Sequence, residues 1–289
     1  FTRLTPQANF RNGNLTVAGL GNRFNDLRID GAYNSDPYGR NPNGQNGGQT
    51  GVNPISIDAI EQIQVNLSPY DITQSGFGGA SINAVTRSGS NNFTGSVYHF
   101  LRNENLSGKT PVIDDTTERS KLTPFQTIQT GFRLGGPIIK NKLFFFGNYE
   151  VDERTDLGSS VVANDGNGTT GVNESRVLAA DLMSVSNALK TLGYDTGAYQ
   201  GFTHNSNSSK GIIKLDWNIN DNNKLAVIYN FLDASKDKPA HPTAINRRGP
   251  DFNTLQFANS GYQMNNKLNS FLLELNSKFS ESVSNKLQA

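Results

Sequence analysis

The sequence predicts an all-β membrane protein: a partial transmembrane antiparallel β-barrel over residues 91–289, preceded by a small α+β domain over residues 1–90. Three observations carry this expectation. From Phe93 onward, apolar and polar residues alternate in six runs and the start of a seventh. Each run is near the roughly 9–11 residues that a tilted strand needs to cross a bilayer. The connections between runs are alternately long and short, as in a barrel with tight turns on one rim and large loops on the other. A soluble β-sandwich, which would also explain the alternation, has no reason to keep every second connection short.

Before Phe93 the texture differs. "NLTVAGL" and "RFNDLRIDGA" are strand-like pieces separated by Gly and Asn, and the stretch from Tyr33 to Gly51 is a loop dominated by Gly, Asn and Pro. A short turn leads into a strand at Ile60–Val65. Pro69 suits the turn that follows, Gly76, Gly78 and Gly79 permit a reversal, and Ser81–Arg87 is a second strand. A polar Ser/Gly/Asn hinge then leads to the first alternating run.

The runs assign faces. "TIQTGFRLG" sets Ile128, Thr130, Phe132 and Leu134 against Gln129 and Arg133. "LFFFGNYEVD" sets Leu143, Phe145, Tyr149 and Val151 against Asn148, Glu150 and Asp152. "GIIKLDWNIN" opposes Ile213, Leu215, Trp217 and Ile219 to Lys214, Asp216 and Asn218. "KLAVIYNFLD" and "SFLLELNSKF" continue the pattern, with Glu274 and Lys278 on the face away from Phe271 and Leu273. The long connections are 104–124, 153–210 and 234–266. In the second of these, Val177, Leu178, Leu182, Val185, Leu189 and Leu192 fall at helical spacing and predict an amphipathic helix.

Composition removes other classes. Net charge is +1 with no Lys/Arg cluster, which argues against nucleic acid. The absence of cysteine excludes thiolate chemistry, thiolate metal sites and disulfides. His99, His204 and His241 lack metal-ligand spacing, and no Gly-x-Ser-x-Gly occurs. "AGLGNRF" lacks the third glycine of a dinucleotide cradle, and "DWNINDNNK" lacks the spacing and closing glutamate of a calcium loop. Asp114 and Asp115 lie in a polar loop. No enzyme and no cofactor is expected.

The stretch "IEQIQV…PYD…GFGGASINAVTRSGSN" resembles the end of the plug domain of TonB-dependent outer-membrane transporters. The matching residues are Ile60, Glu61, Ile63, Val65, Gly76, Gly78, Gly79, Ile82, Asn83, Val85, Thr86, Arg87 and Gly89. Upstream, "NRFNDLRIDGAYNSD" resembles the plug segment with its turn at Asp30 and Gly31, and "NNFTGSVYHFLRNENL" and "GGPIIKNKLFFFGNYE" resemble the Oar-like branch. The resemblance implies that these are the C-terminal part of a plug and the N-terminal strands of a 22-stranded barrel in the bacterial outer membrane. Seven strands cannot close such a barrel, so the chain reads as a piece of a larger wall.

The resemblance further implies active transport of a bulky substrate, with the plug gating the lumen and a TonB-type inner-membrane energy transducer supplying the energy. Lipid, lipopolysaccharide and a surface lipoprotein or other outer-membrane subunits complete the expected partners. Arg133, Glu150, Asp152, Lys214, Asp216, Glu274 and Lys278 become the lumen-facing polar residues, at a wet plug–wall interface held by hydrogen bonds. Tyr33, Tyr38 and Arg40 of the plug loop become ligand contacts. The alternative is a transporter-fold subunit in a larger assembly for protein secretion or surface-protein biogenesis.

Overall fold

A computed structural model describes residues 8–11, 14–17, 19–21, 24–36, 48–67, 80–110, 119–240 and 250–289. In chain order the strands are β1 (Ala8–Arg11), β2 (Asn14–Val17), β3 (Asp26–Ile29), β4 (Ala32–Tyr33), β5 (Ile60–Leu67) and β6 (Ala80–Thr86). There follow β7 (Thr94–Asn103), β8 (Phe125–Ile139), β9 (Leu143–Leu157), β10 (Val162–Asn164) and β11 (Glu174–Leu178). Helix α1 (Ala179–Thr191) precedes β12 (Thr203–Asn220), β13 (Asn223–Lys238), β14 (Tyr262–Lys278) and β15 (Ser284–Gln288).

The described strands form four sheets: the pairs β1-β2 and β10-β11, and two larger sheets. The N-terminal sheet has the order β4-β3-β6-β5, with β3 and β6 parallel and the other pairs antiparallel. Its tightest corner joins β3 to β4 through Asp30 (φ +49°) and Gly31 (φ +86°). Two successive positive φ values in a two-residue hairpin define a type I′ turn, whose preferred sequence is Asp-Gly or Asn-Gly. The larger sheet has seven antiparallel strands in the order β15-β14-β13-β12-β9-β8-β7. Strands β10 and β11 and helix α1 lie within the connection between β9 and β12.

The strands are longer than the sequence runs suggest. β9 continues to Leu157, β12 begins at Thr203, β13 continues to Lys238 and β14 begins at Tyr262. The expected connections 153–210 and 234–266 therefore shrink to 158–202 and 239–261, while 104–124 stands. The added residues are polar, as in "THNSNSSK", and carry no alternation to reveal them. They stay extended because ladder hydrogen bonds form without regard to side-chain polarity.

The alternation resolves into an outward and an inward face. Val97, Phe132, Leu134, Tyr149, Ile213, Leu215, Trp217, Tyr229 and Phe271 point outward and are exposed. Along β12 the outward residues are Thr203, Asn205, Asn207 and Ser209, then Gly211, Ile213, Leu215, Trp217 and Ile219. The apolar segment from 211 to 219 matches one bilayer crossing, so the preceding part of the strand rises above it. Rings mark the boundary: Phe132, Tyr149 and Phe231 occupy one row, with successive centroids 6.2 Å apart. Gly211 completes that row because a Cβ there would meet the Phe231 ring at 2.7 Å and the Asn148 carbonyl at 2.8 Å.

Helix α1 begins two residues later than the expected pattern, since Val177 and Leu178 belong to β11. Among its apolar residues Leu182 is buried, whereas Met183 and Val185 are exposed, as is Leu192 just beyond its end.

The band makes a stability prediction. Leu215→Arg, in the middle of the outward apolar segment, is expected to cost about 2–4 kcal/mol, and Asn207→Arg, above the ring row, about 0–1 kcal/mol. Urea titration of the protein folded in lipid vesicles measures both, and equal costs would displace the band.

Candidate functional site

The N-terminal sheet rests on the inward face of the larger sheet, and the contact has an apolar and a polar part. Ile29, Ile55 and Ala59 pack with Phe146, Ile212, Ile228 and Leu272 in one buried cluster, flanked by Ala32 and Ile60. The expected interface of hydrogen bonds and water is thus corrected: its centre is greasy. Phe146, Ile228 and Leu272 alternate correctly for the inward face, but alternation alone does not say that another sheet covers them.

Three polar clusters surround that centre. The first is built on Ser56, which caps the 3-10 turn Ile57–Ala59 by accepting from Asp58 N (3.3 Å). Its hydroxyl also donates to Glu150 Oε2 at 2.7 Å. The Tyr98 hydroxyl donates to the same oxygen and lies 3.0 Å from Ser56 Oγ. Gly131 leaves room for that ring, since a Cβ there would meet Tyr98 Oη at 2.4 Å. Lys210 Nζ then bridges Glu150 Oε1 and Asp152 Oδ2, each at 2.8 Å, with Ser208 Oγ donating to Asp152 at 3.2 Å. Glu150 and Lys210 are both buried.

The second cluster is built on Asp58. It pairs with Arg133 Nε at 3.1 Å and accepts from Ser96 Oγ at 2.5 Å, and Arg133 donates to Ser96 at 2.9 Å. The third is the Asp-Gly turn. The Asp30 carboxylate accepts from Thr86 N (2.9 Å) and Thr86 Oγ1 (2.5 Å). Lys214 Nζ approaches Thr86 Oγ1 at 3.5 Å and Asp30 Oδ1 at 4.0 Å. Asn83 Oδ1 receives the Gly31 N–H at 3.0 Å, and Arg87 Nε donates to the Asp58 carbonyl at 3.1 Å. Asn83, Thr86 and Arg87 therefore fasten one turn and one loop to the adjacent strand.

The remaining expected residues are spread more widely. Asp216 and Glu274 line a cavity of about 370 Å³ beside Asp30, Gln64, Asn83 and Lys214. Glu274 pairs with Lys286 at 2.9 Å. Lys278 is exposed at the short-turn end of β14 and joins none of the three clusters. Tyr33 is exposed on β4. Tyr38, Arg40, Gly76, Gly78 and Gly79 lie outside the described residues. Gly89 passes so close to the wall that a Cβ would meet the Phe145 carbonyl at 2.3 Å and the Gly136 carbonyl at 2.8 Å. Sequence reasoning missed Ser56, Asp58, Ser96, Tyr98 and Lys210. Lys210 had a signal, since it shares parity with Lys214 along β12.

Among the described residues no group of three or more His, Asp or Glu side chains is placed to hold a metal. Among the described residues, too, no helix is long and apolar enough to cross a membrane. The arrangement can seat one sheet firmly on another.

A sheet of long antiparallel strands with a bilayer-high apolar band outside and charged groups inside defines the wall of a membrane β-barrel. The chain belongs to the outer membrane beta-barrel domain family, which matches residues 85–289. It is 32% identical over 151 residues to the TonB-dependent transporter Oar of Myxococcus xanthus, a match covering 50% of this chain and 13% of that protein. The outer membrane transporter YddB from Escherichia coli matches with a TM-score of 0.57 at 10% identity, over 92% of this chain and 31% of that one. The siderophore receptor PirA from Acinetobacter baumannii matches with a TM-score of 0.54 at 15% identity, over 95% of this chain and 32% of that one. These two likenesses show the fold, and the family places the chain in the bacterial outer membrane.

The Glu150 cluster makes the second prediction. Glu150→Ala leaves the buried Lys210 with only the half-buried Asp152 as counter-charge and is expected to cost about 3 kcal/mol, the low end for a broken buried pair. Replacing both, Glu150→Leu with Lys210→Met, is expected to recover most of that loss. Chemical denaturation in detergent measures both; a double variant as unstable as the single one would remove the pair from the seat.

Proposed function

We propose that this chain is part of a TonB-dependent outer-membrane transporter of the Oar type. Residues 1–90 act as the plug and residues 91–289 as barrel wall, and the plug gates passage of a bulky substrate. The observation that supports this most is the seating of the N-terminal sheet on the inward face through Ser56, Asp58 and Asp30. The similarity to Oar, a TonB-dependent transporter, supports the same reading.

The interface suits a gate. Each polar cluster joins a short plug element to long side chains on the wall, so displacing the plug exchanges protein partners for water. The apolar centre resists that displacement. Work must therefore be done on the plug, and a TonB-type transducer acting from the inner membrane is the partner that supplies it. Tyr33, Tyr38 and Arg40 are the plug's proposed ligand contacts, and Arg133, Glu150, Asp152, Lys214, Asp216, Glu274 and Lys278 its lumen-facing surroundings. Catalysis forms no part of this role.

Deleting residues 24–86 from the intact protein is expected to turn a non-conducting protein into an open pore in planar bilayers and to sensitise cells to bulky antibiotics. A deletion variant that folds, shown by heat-modifiable electrophoretic mobility, yet conducts no better than the parent would refute gating. Co-purification of the intact protein with other envelope subunits in fixed ratio, with no conductance change, would favour a role as an assembly subunit instead.

A further inference from the structure

The inward face changes character above the N-terminal sheet. The register Arg102–Thr127–Arg154–Ser206–Lys236 aligns residues of five successive strands in one row, three of them cationic. Lys238 stands two residues further along β13 on the same face. At about 4.8 Å between neighbouring strands, Arg154 and Lys236 are about 10 Å apart at the backbone, and Arg102 and Lys236 about 19 Å.

Contacts fix the direction in which these side chains point. A Cβ on Gly51, in the turn that ends the N-terminal loop, would lie 3.6 Å from Lys236 Nζ. The guanidinium groups of Arg102 and Arg154 lie over the Phe125 ring, 5.5 and 5.8 Å from its centroid. Both arginines are thus held on an aromatic platform.

Little negative charge answers them. Asp156 engages Arg154 through two contacts of 2.7 Å. Among the described residues no carboxylate pairs with Lys236, Lys238 or Arg102. Burial and then the adjacent charge of Lys236 lower the pKa of the Lys238 ammonium, so the two lysines crowd each other. Like charges held together on a half-buried surface are relieved by a bound anion.

We propose that Lys236, Lys238, Arg102 and Arg154 form an anion-binding shelf at the mouth of the barrel, taking a soluble ligand with two or more carboxylate or phosphate groups. This rests on the reading of the inward face as a transporter lumen and adds a substrate class to it. The span of the shelf suits a ligand whose acid groups are about 10 Å or more apart. A single small anion would meet one end only.

Binding of fluorescent hexaglutamate to the full-length protein in detergent tests the proposal. Hexaglutamate is expected to bind and hexaglutamine not, with affinity falling as salt rises. The double variant Lys236→Glu/Lys238→Glu is expected to weaken binding at least about tenfold, Lys236→Arg to retain it, and Lys267→Glu, at similar height on the outward face, to leave it unchanged. Tripolyphosphate that displaces hexaglutamate from the parent assigns phosphates to the same shelf. Equal binding of the two peptides, or no loss in a double variant of native heat-modifiable mobility, would overturn the shelf. Displacement by lipopolysaccharide, with binding insensitive to the reversal, would move the anion site to the lipid face and also overturn it. Binding in micelles needs no energy source, so it can survive when the gating test fails.

Discussion

In hydrocarbon, an unpaired backbone amide or carbonyl has no water to turn to. That constraint organises the larger sheet. Each central strand must pair on both sides through the apolar depth, and the antiparallel ladders from β7 to β15 do so, with register shifts only at Pro137/Ile139 and Asn218/Asn220 near the short turns. Once the ladder is imposed, side chains alternate, and the two faces have different solvents. The outward face takes Leu215, Trp217 and Phe271 because lipid accepts them. The inward face is free to hold charge, and there Glu150, itself paired with Lys210, meets Ser56, while Lys214 approaches Asp30.

The seat of that sheet combines two kinds of force. The cluster of Ile29, Ile55 and Ala59 against Phe146, Ile212, Ile228 and Leu272 supplies non-directional adhesion. The surrounding carboxylates and cations add little net stability, because desolvating them offsets most of their attraction. They make misplacement expensive instead. A shift of the sheet by one residue along the wall would part Ser56 from Glu150, and Asp58 from Arg133 and Ser96. Adhesion thus comes from the greasy centre and registration from the charged rim.

Much of this was legible in the sequence. Six wall strands and the start of the seventh show in the alternating runs, because a lipid-facing side must be apolar at every second position. The facing of the first run, Thr94 to Asn103, was not readable. The Asp-Gly corner and the strand from Ala80 to Thr86 were readable from turn chemistry and family likeness. The polar halves of β12 and β14 were not, since a strand above the lipid meets water on its outer side and loses its pattern. Nor was the seat itself. Ser56 and Asp58 are ordinary residues of a short turn, and only the fold brings Ser56 to Glu150, 94 positions away. The inward lysines illustrate the same limit: Lys214 was visible as the polar member of an alternating run, while Lys210 sits where the run dissolves into serines and asparagines.

The strands overshoot their bilayer. From the ring row, β12 extends by the eight residues Thr203 to Lys210, a rise of about 20 Å for a strand tilted near 40°. Hydrogen-bonded ladders carry the wall through that height, so it stands as a rigid collar beyond the lipid. The connection containing β10, β11 and α1 is therefore borne on stilts. A large particle approaching the membrane from that side touches this collar and its cap before any lipid.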